Sequence, residues 1–93
     1  MHILITSGGT TEQIDDVRGI TNFATGNLGK ILAEHFLKAN HQVILLAGLT
    51  ALVPNDHPNL QIIRISNVDS LDVAMKHWLK KMDVCVHTMA VSD

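Results

Sequence analysis

Hydrophobic positions along this chain alternate between two kinds of spacing. Ile3-Leu4-Ile5-Thr6 is a short apolar, β-branched run ended by Ser7-Gly8-Gly9. It predicts a buried strand whose carboxyl end opens onto glycine-permitted backbone. Leu28, Ile31, Leu32, His35 and Phe36 then recur at three- and four-residue steps, with Lys30, Glu34 and Lys38 on other faces. That spacing predicts an amphipathic helix from about Gly26 to Ala39. After Asn40-His41, Val43-Ile44-Leu45-Leu46 is continuously apolar, as expected of a strand covered on both faces in a parallel sheet.

Between Gly48 and Leu60 stand Pro54 and Pro58 with Asn55, Asp56 and Asn59. This composition disfavours helix and central strand alike and predicts an irregular crossover. Ile62, Ile63 and Ile65 give a third strand. Ser66-Asn67-Val68-Asp69 then resembles a capping box, with the Ser66 hydroxyl taking an orphan amide at a helix start. Leu71, Met75, Trp78, Leu79 and Met82 share one face of the helix that follows, and Lys76, Lys80 and Lys81 crowd its last turns, where positive charge complements the helix dipole. Val84-Cys85-Val86 makes a fourth strand, and His87 to Asp93 continues into a loop.

Strands alternating with helices imply an α/β fold: a Rossmann-like parallel sheet with flanking helices and right-handed crossovers. About four strands and two main helices are present, and the spatial order expected of half a doubly wound sheet is third, second, first, fourth. Ninety-three residues bound this to one small domain.

Composition narrows the class. The apolar share is 46%, the charged share 17% and the formal net charge -2, the balance of a packed domain that binds neither nucleic acid nor other polyanions. Trp78, Phe23 and Phe36 are the only aromatic residues of the Phe, Trp and Tyr class, too few for a base-stacking surface. Cys85 is the one cysteine. It excludes an internal disulfide, fits a reducing cytoplasm, and within its apolar run reads as a buried small hydrophobe. No segment approaches the roughly 18 apolar residues of a membrane span, and the N-terminus lacks an export signal. The six histidines are spread along the chain without metal-ligand spacing, and His87, beyond the fourth strand, reads as a hydrogen-bonded structural residue.

Topology alone locates a candidate site. Ligands of such sheets bind beyond the carboxyl ends of the strands at the switch point, where Ser7-Gly8-Gly9-Thr10 and Ala90-Val91-Ser92-Asp93 should meet. Thr25-Gly26-Asn27-Leu28-Gly29 opens the first helix; its glycines suit either a phosphate at the positive helix end or plain close packing. The long polar segment Thr10 to Thr25 separates the two glycine clusters, unlike the single tight turn of a dinucleotide fold. Leu46-Ala47-Gly48-Leu49 offers no acidic residue for a ribose, so a dehydrogenase is a minority reading. The separating segment reads as a long structureless loop of the functional kind. Within it Arg18 brings a planar fork for carboxylate or phosphate, and Asn22 an amide able to orient a carbonyl or acyl phosphate. Stitching of the loop by hydrogen bonds is the plainer alternative.

Ser7-Gly8-Gly9-Thr10-Thr11-Glu12, Asp15-Asp16-Val17-Arg18, Thr21-Asn22, Thr25-Gly26-Asn27-Leu28-Gly29 and Met89-Ala90-Val91-Ser92-Asp93 fall in one order along the whole chain. Together they resemble phosphopantothenate-cysteine ligase (phosphopantothenoylcysteine synthetase), in its standalone bacterial form. The resemblance implies that residues 1–93 are the N-terminal, nucleotide-binding part of a single α/β domain whose C-terminal half is absent. It also implies a two-step reaction of coenzyme A biosynthesis. CTP with Mg²⁺, or ATP in eukaryotic relatives, converts 4'-phosphopantothenate to an acyl-nucleotidylate, and the amine of L-cysteine displaces the nucleotide.

Carried over by position, Asn22 would hold the acyl-cytidylate and Arg18 would assist its reaction with cysteine. Gly8, Gly9, Thr10, Thr25, Gly26 and Gly29 would line the nucleotide and phosphates, and Ala90 and Asp93 would belong to the nucleotide site; no protein metal ligand is implied. The resemblance further implies a cytoplasmic homodimer in the full-length protein and a chain not competent alone. Phe23-Ala24-Thr25-Gly26-Asn27 departs from the family's His-Ser-[Ser/Thr]-Gly-[Lys/Arg], losing a hydroxyl and a basic side chain beside the phosphates. A dinucleotide-binding reductase and a non-catalytic nucleotide-binding subunit are the alternative readings.

Overall fold

The computed structural model describes residues 1–14, 18–21 and 26–89. A four-stranded parallel sheet is formed by β1 (His2–Ser7), β4 (Gln42–Gly48), β5 (Leu60–Ile65) and β6 (Val84–His87) in the spatial order β5-β4-β1-β6. That is the order expected from the alternation of strands and helices. Two further strands, β2 (Thr11–Ile14) and β3 (Arg18–Thr21), pair antiparallel with one another. The helices are α1 (Asn27–Lys38) and α2 (Val68–Trp78), the latter continued by a 3₁₀ turn over Leu79–Lys81.

The central strand explains why both faces of the sheet are apolar. Ile3, Leu4 and Ile5 are wholly inaccessible, and side chains alternate between faces along a strand. Ile3 and Ile5 therefore join Ala33 and Leu37 of α1 with Val43, Leu45 and Ala47 of β4. Leu4 points to the other layer, with Leu46, Ile65 and Leu71 of α2. Each fully buried Ile or Leu contributes about 1.5–3 kcal/mol of hydrophobic stabilisation, so two thin layers around β1 and β4 hold the domain together.

Helix α1 sits on the sheet by a different stripe from the one its large residues suggest. Leu28 and Ile31 are 60% and 52% exposed, and His35 is exposed as well. The buried stripe is Gly29, Ala33 and Leu37, with Leu32 and Phe36 packed at its border. Two small residues one turn apart let the helix backbone press onto β1, and the bulky residues are displaced to either side.

Three other expectations are corrected. The N-cap of α2 is Asn67, not Ser66: its side chain accepts a hydrogen bond from the Ser70 amide at 2.9 Å, and the Asn67 amide donates to Ser70 Oγ at 3.0 Å. The capping box is thus shifted one residue, because Asn67 rather than Ser66 stands three positions before a residue able to reciprocate. The segment between the glycine clusters is not structureless, since Thr11–Ile14 and Arg18–Thr21 form a ribbon with Thr11 opposite Thr21 and Ile14 opposite Arg18. Cys85, expected in a buried run, is exposed, because β6 pairs only with β1 and forms a sheet edge among the described strands. Its partial burial still pushes the thiol pKa upward.

Trp78 packs against the second core layer as a partly buried residue, whereas Leu79, expected on the same face, is 44% exposed. The tightening of the helix into a 3₁₀ turn at Leu79 rotates it off that stripe. Among the described residues no helix is long and apolar enough to cross a membrane.

Candidate functional site

The sheet order fixes where the strand sequence reverses. The chain runs outward from β1 through β4 to β5, then returns to the other side of β1 as β6. The carboxyl ends of β1 and β6 consequently flank the switch point, where open α/β sheets bind ligands. Ser7-Gly8-Gly9-Thr10 leaves β1 there, and Thr88-Met89 leaves β6.

The two glycine clusters converge on one residue, although a ribbon lies between them in sequence. A Cβ placed on Gly8 would lie 2.6 Å from the Ala51 Cβ, and one on Gly26 2.9 Å from the same atom. Both glycines have a φ of 82°, in the left-handed region that other residues rarely adopt. Ala51 is itself only 6% exposed. Because β2 and β3 run out and back, the chain returns at Gly26 beside the point where it departed at Gly8.

Gly26 is the N-cap of α1, and it supplies no side-chain hydrogen bond; no acidic residue occupies the helix's first turn. The positive end of the helix dipole therefore has no carboxylate beside it from within the helix. Amide groups at such an end, next to left-handed glycines, make a seat for an anion. Gly29, one turn in, is buried against Ser7: a Cβ there would come within 2.2 Å of the Ser7 Cβ and 3.2 Å of the Thr88 Oγ1. Its absence of a side chain seats the helix on the strand.

The end of β1 is also tied to β6 by a polar cluster. Thr88 donates from Oγ1 to the Thr6 carbonyl at 2.5 Å and from its amide at 3.0 Å. The Met89 amide donates to Thr6 Oγ1 at 3.3 Å, and that hydroxyl lies 2.6 Å from His87 Nδ1. His87 is hydrogen-bonded, as expected of it. Ser7 Oγ, in contrast, is buried without a hydrogen-bond partner among the described residues.

Of the residues singled out in the sequence, Gly8, Gly9, Thr10, Gly26 and Gly29 lie at this end of the sheet, with Thr10 wholly buried. Arg18 opens β3. Asn22, Thr25, Ala90 and Asp93 lie outside the described residues. Ser7, placed here by topology but given no role, joins the site, and so do Ala51 and Thr88, which were not singled out. Only the position of Thr88 just beyond an apolar strand core could have marked it; Ala51, in an irregular crossover, carries no such signal. A cleft of about 600 Å³ lies at the other end of the sheet, lined by His2, Gln42, Asn59 and Trp78. It sits at the amino ends of the strands, away from the switch point, and gathers no comparable set of glycines.

Known proteins share this fold. The chain is 34% identical over 94 residues to the coenzyme A biosynthesis bifunctional protein CoaBC of Bacillus subtilis, covering 99% of this chain and 22% of that protein. The crystal structure of the DNA/pantothenate metabolism flavoprotein from Streptococcus pneumoniae is 49% identical with a TM-score of 0.96, and the match covers 100% of this chain and 42% of that one. Cab2, solved in complex with phosphopantothenate-cysteine, shares the fold at 24% identity and a TM-score of 0.86, over 99% of this chain and 46% of that one. The chain therefore spans under half the length of these proteins. The family profile described as "DNA/pantothenate metabolism flavoprotein C-terminal domain" matches residues 1–93, and the chain belongs to that family.

Proposed function

We propose that this chain supplies the nucleotide-binding part of a phosphopantothenate-cysteine ligase acting in coenzyme A biosynthesis. The observation that carries this reading is the convergence of Gly8 and Gly26 on Ala51, beside an α1 amino end that holds no acid. Membership of the family and the bound phosphopantothenate-cysteine of Cab2 support the substrate class.

In the proposed reaction the carboxylate of 4'-phosphopantothenate attacks the α-phosphorus of CTP and pyrophosphate departs. The amine of L-cysteine then attacks the acyl carbon, CMP leaves, and an amide results. Such chemistry asks the protein for alignment of anionic reactants and charge stabilisation more than for a nucleophilic side chain. The Gly8-Gly9 and Thr25-Gly26 backbones would seat the phosphates, with Thr10, Gly29, Ala90 and Asp93 around the nucleotide. Asn22 would hold the acyl-cytidylate, and Arg18 would assist its reaction with cysteine.

Among the described residues no group of three His, Cys, Asp or Glu gathers as a metal cage. Mg²⁺ would ride on the triphosphate, as that ion commonly does. Homodimerisation and a cytoplasmic site of action belong to the same proposal, as does the inactivity of residues 1–93 by themselves.

The test is an assay of the natural gene product with CTP, phosphopantothenate and cysteine, following pyrophosphate release, alongside its intact mass. Coupling that is lost in Asn22→Ala supports the ligase reading. A product ending at Asp93 that binds CTP without turnover would instead make it a non-catalytic nucleotide-binding subunit, a role compatible with the altered Phe23-Ala24-Thr25-Gly26-Asn27 segment.

A further inference from the structure

Ala51 supports both glycine clusters, and what holds Ala51 is a side chain from the neighbouring strand. The Ala51 amide donates to the Gly48 carbonyl at 3.1 Å, closing a tight turn beyond β4. Arg64 of β5, paired in register with Ala47, reaches over this turn. Its Nη1 donates to the Gly48 carbonyl at 2.7 Å and to the Ala51 carbonyl at 2.9 Å. One guanidinium nitrogen thereby uses its two hydrogens to fix both ends of the turn. Gly48 in turn abuts the first cluster, since a Cβ on it would fall 2.4 Å from the Gly9 carbonyl oxygen.

We infer that Arg64 is a positioning residue: by clamping the Gly48–Ala51 turn it sets the spacing of Gly8-Gly9 and Gly26, the two backbone segments that would cradle the phosphates. Nothing in the sequence marks Arg64 for this, because it stands in a strand remote from both glycine clusters. An arginine suits the task because its planar, permanently charged fork presents donors in fixed directions, and charge-assisted hydrogen bonds are stronger than those between neutral groups. The part of the inference that concerns a ligand rests on the nucleotide reading above; the part that concerns geometry does not.

The experiment compares the full chain with Arg64→Met and Arg64→Lys by amide NMR, first free and then titrated with CTP and Mg²⁺. In Arg64→Met the amide signals of Gly8, Gly26, Gly48 and Ala51 should move while those of Leu37 and Leu71 stay, and CTP affinity should fall about tenfold. Arg64→Lys, keeping the charge and several donors, should recover part of both. Gly8 and Gly26 signals unmoved in Arg64→Met overturn the inference. If the unsubstituted chain shows no CTP binding, the nucleotide reading fails, and the glycine amides alone still decide whether Arg64 positions them. Should Arg64→Met not fold, Arg64→Gln carries the same comparison: its side chain is two atoms shorter and does not reach the carbonyls of Gly48 and Ala51.

Discussion

Gly29 and Ser7 meet with no room between them: a Cβ on Gly29 would fall 2.2 Å from the Ser7 Cβ, well inside van der Waals contact. The neighbour is anchored on the central strand and cannot swing aside. Gly29→Ala should gain about 1 kcal/mol of helix propensity, yet overpacking of this kind costs roughly 1–3 kcal/mol. Crowding outweighs propensity here, and we expect a net loss of up to about 2 kcal/mol. Urea denaturation at unchanged m measures it. A variant more stable than the parent would mean that α1 stands further from β1 than described.

The start of α2 distinguishes two adjacent polar residues. Asn67 accepts from the Ser70 amide and is reciprocated by Ser70 Oγ, so Asn67→Ala should cost about 1 kcal/mol. Ser66 donates its own amide to Ser70 Oγ, and its hydroxyl lies 3.4 Å from that atom in an exposed setting. Ser66→Ala should therefore stay within about 0.5 kcal/mol of the parent. Equal losses from the two substitutions, measured by chemical denaturation, would move the cap back to Ser66.

The order of the four parallel strands and two helices, and with it the switch point, was legible in the sequence, because a short, unbroken apolar run such as Val43-Ile44-Leu45-Leu46 suits a strand covered on both faces. The face of α1 was not. Periodicity weighs residues by hydrophobicity, while close seating on a sheet selects small ones, so Gly29 and Ala33 outrank Leu28 and Ile31. The ribbon was missed for a related reason: Thr11–Ile14 and Arg18–Thr21 are polar and short, and only their pairing makes them strands. In the site, the glycines announced themselves by type. Ala51 and Arg64 did not, since their part arises from a turn and a cross-strand reach that only the folded chain brings together.

Acid should loosen the start of β6. Asp83 Oδ2 accepts from the His2 amide at 2.8 Å, while the Asp83 amide donates to the His2 carbonyl at 2.8 Å. The hydrogen bond from the His2 amide foremost holds the Asp83 carboxyl below its usual value of 3.8; desolvation opposes it, and the nearby His2 and N-terminal charges add smaller lowering effects. A carboxyl depressed in the folded chain adds stability that is complete above the ordinary value and is lost as pH falls through the lower folded one. The melting temperature should thus decline below about pH 4. Asp83→Asn should flatten that limb, and an unchanged limb would assign the acid sensitivity to other carboxylates.

Ser7 presents the opposite case, a polar group whose removal should help the free chain. Its Oγ is buried with no hydrogen-bond partner among the described residues, beside Gly29 at the amino end of α1. A buried hydroxyl left unpaired costs about 1–3 kcal/mol. Replacing it by a methyl group creates no cavity larger than the lost oxygen, so Ser7→Ala should raise stability by roughly 1 kcal/mol, read from urea denaturation without ligand. The same pair of proteins melted with CTP and Mg²⁺ separates two reasons for keeping the serine. If the hydroxyl serves the nucleotide proposed to bind there, the ligand-induced rise in melting temperature should shrink in Ser7→Ala. An equal rise in both would make the serine a small residue chosen to let Gly29 approach. A loss of stability in Ser7→Ala would mean that the hydroxyl already has a partner in the folded chain.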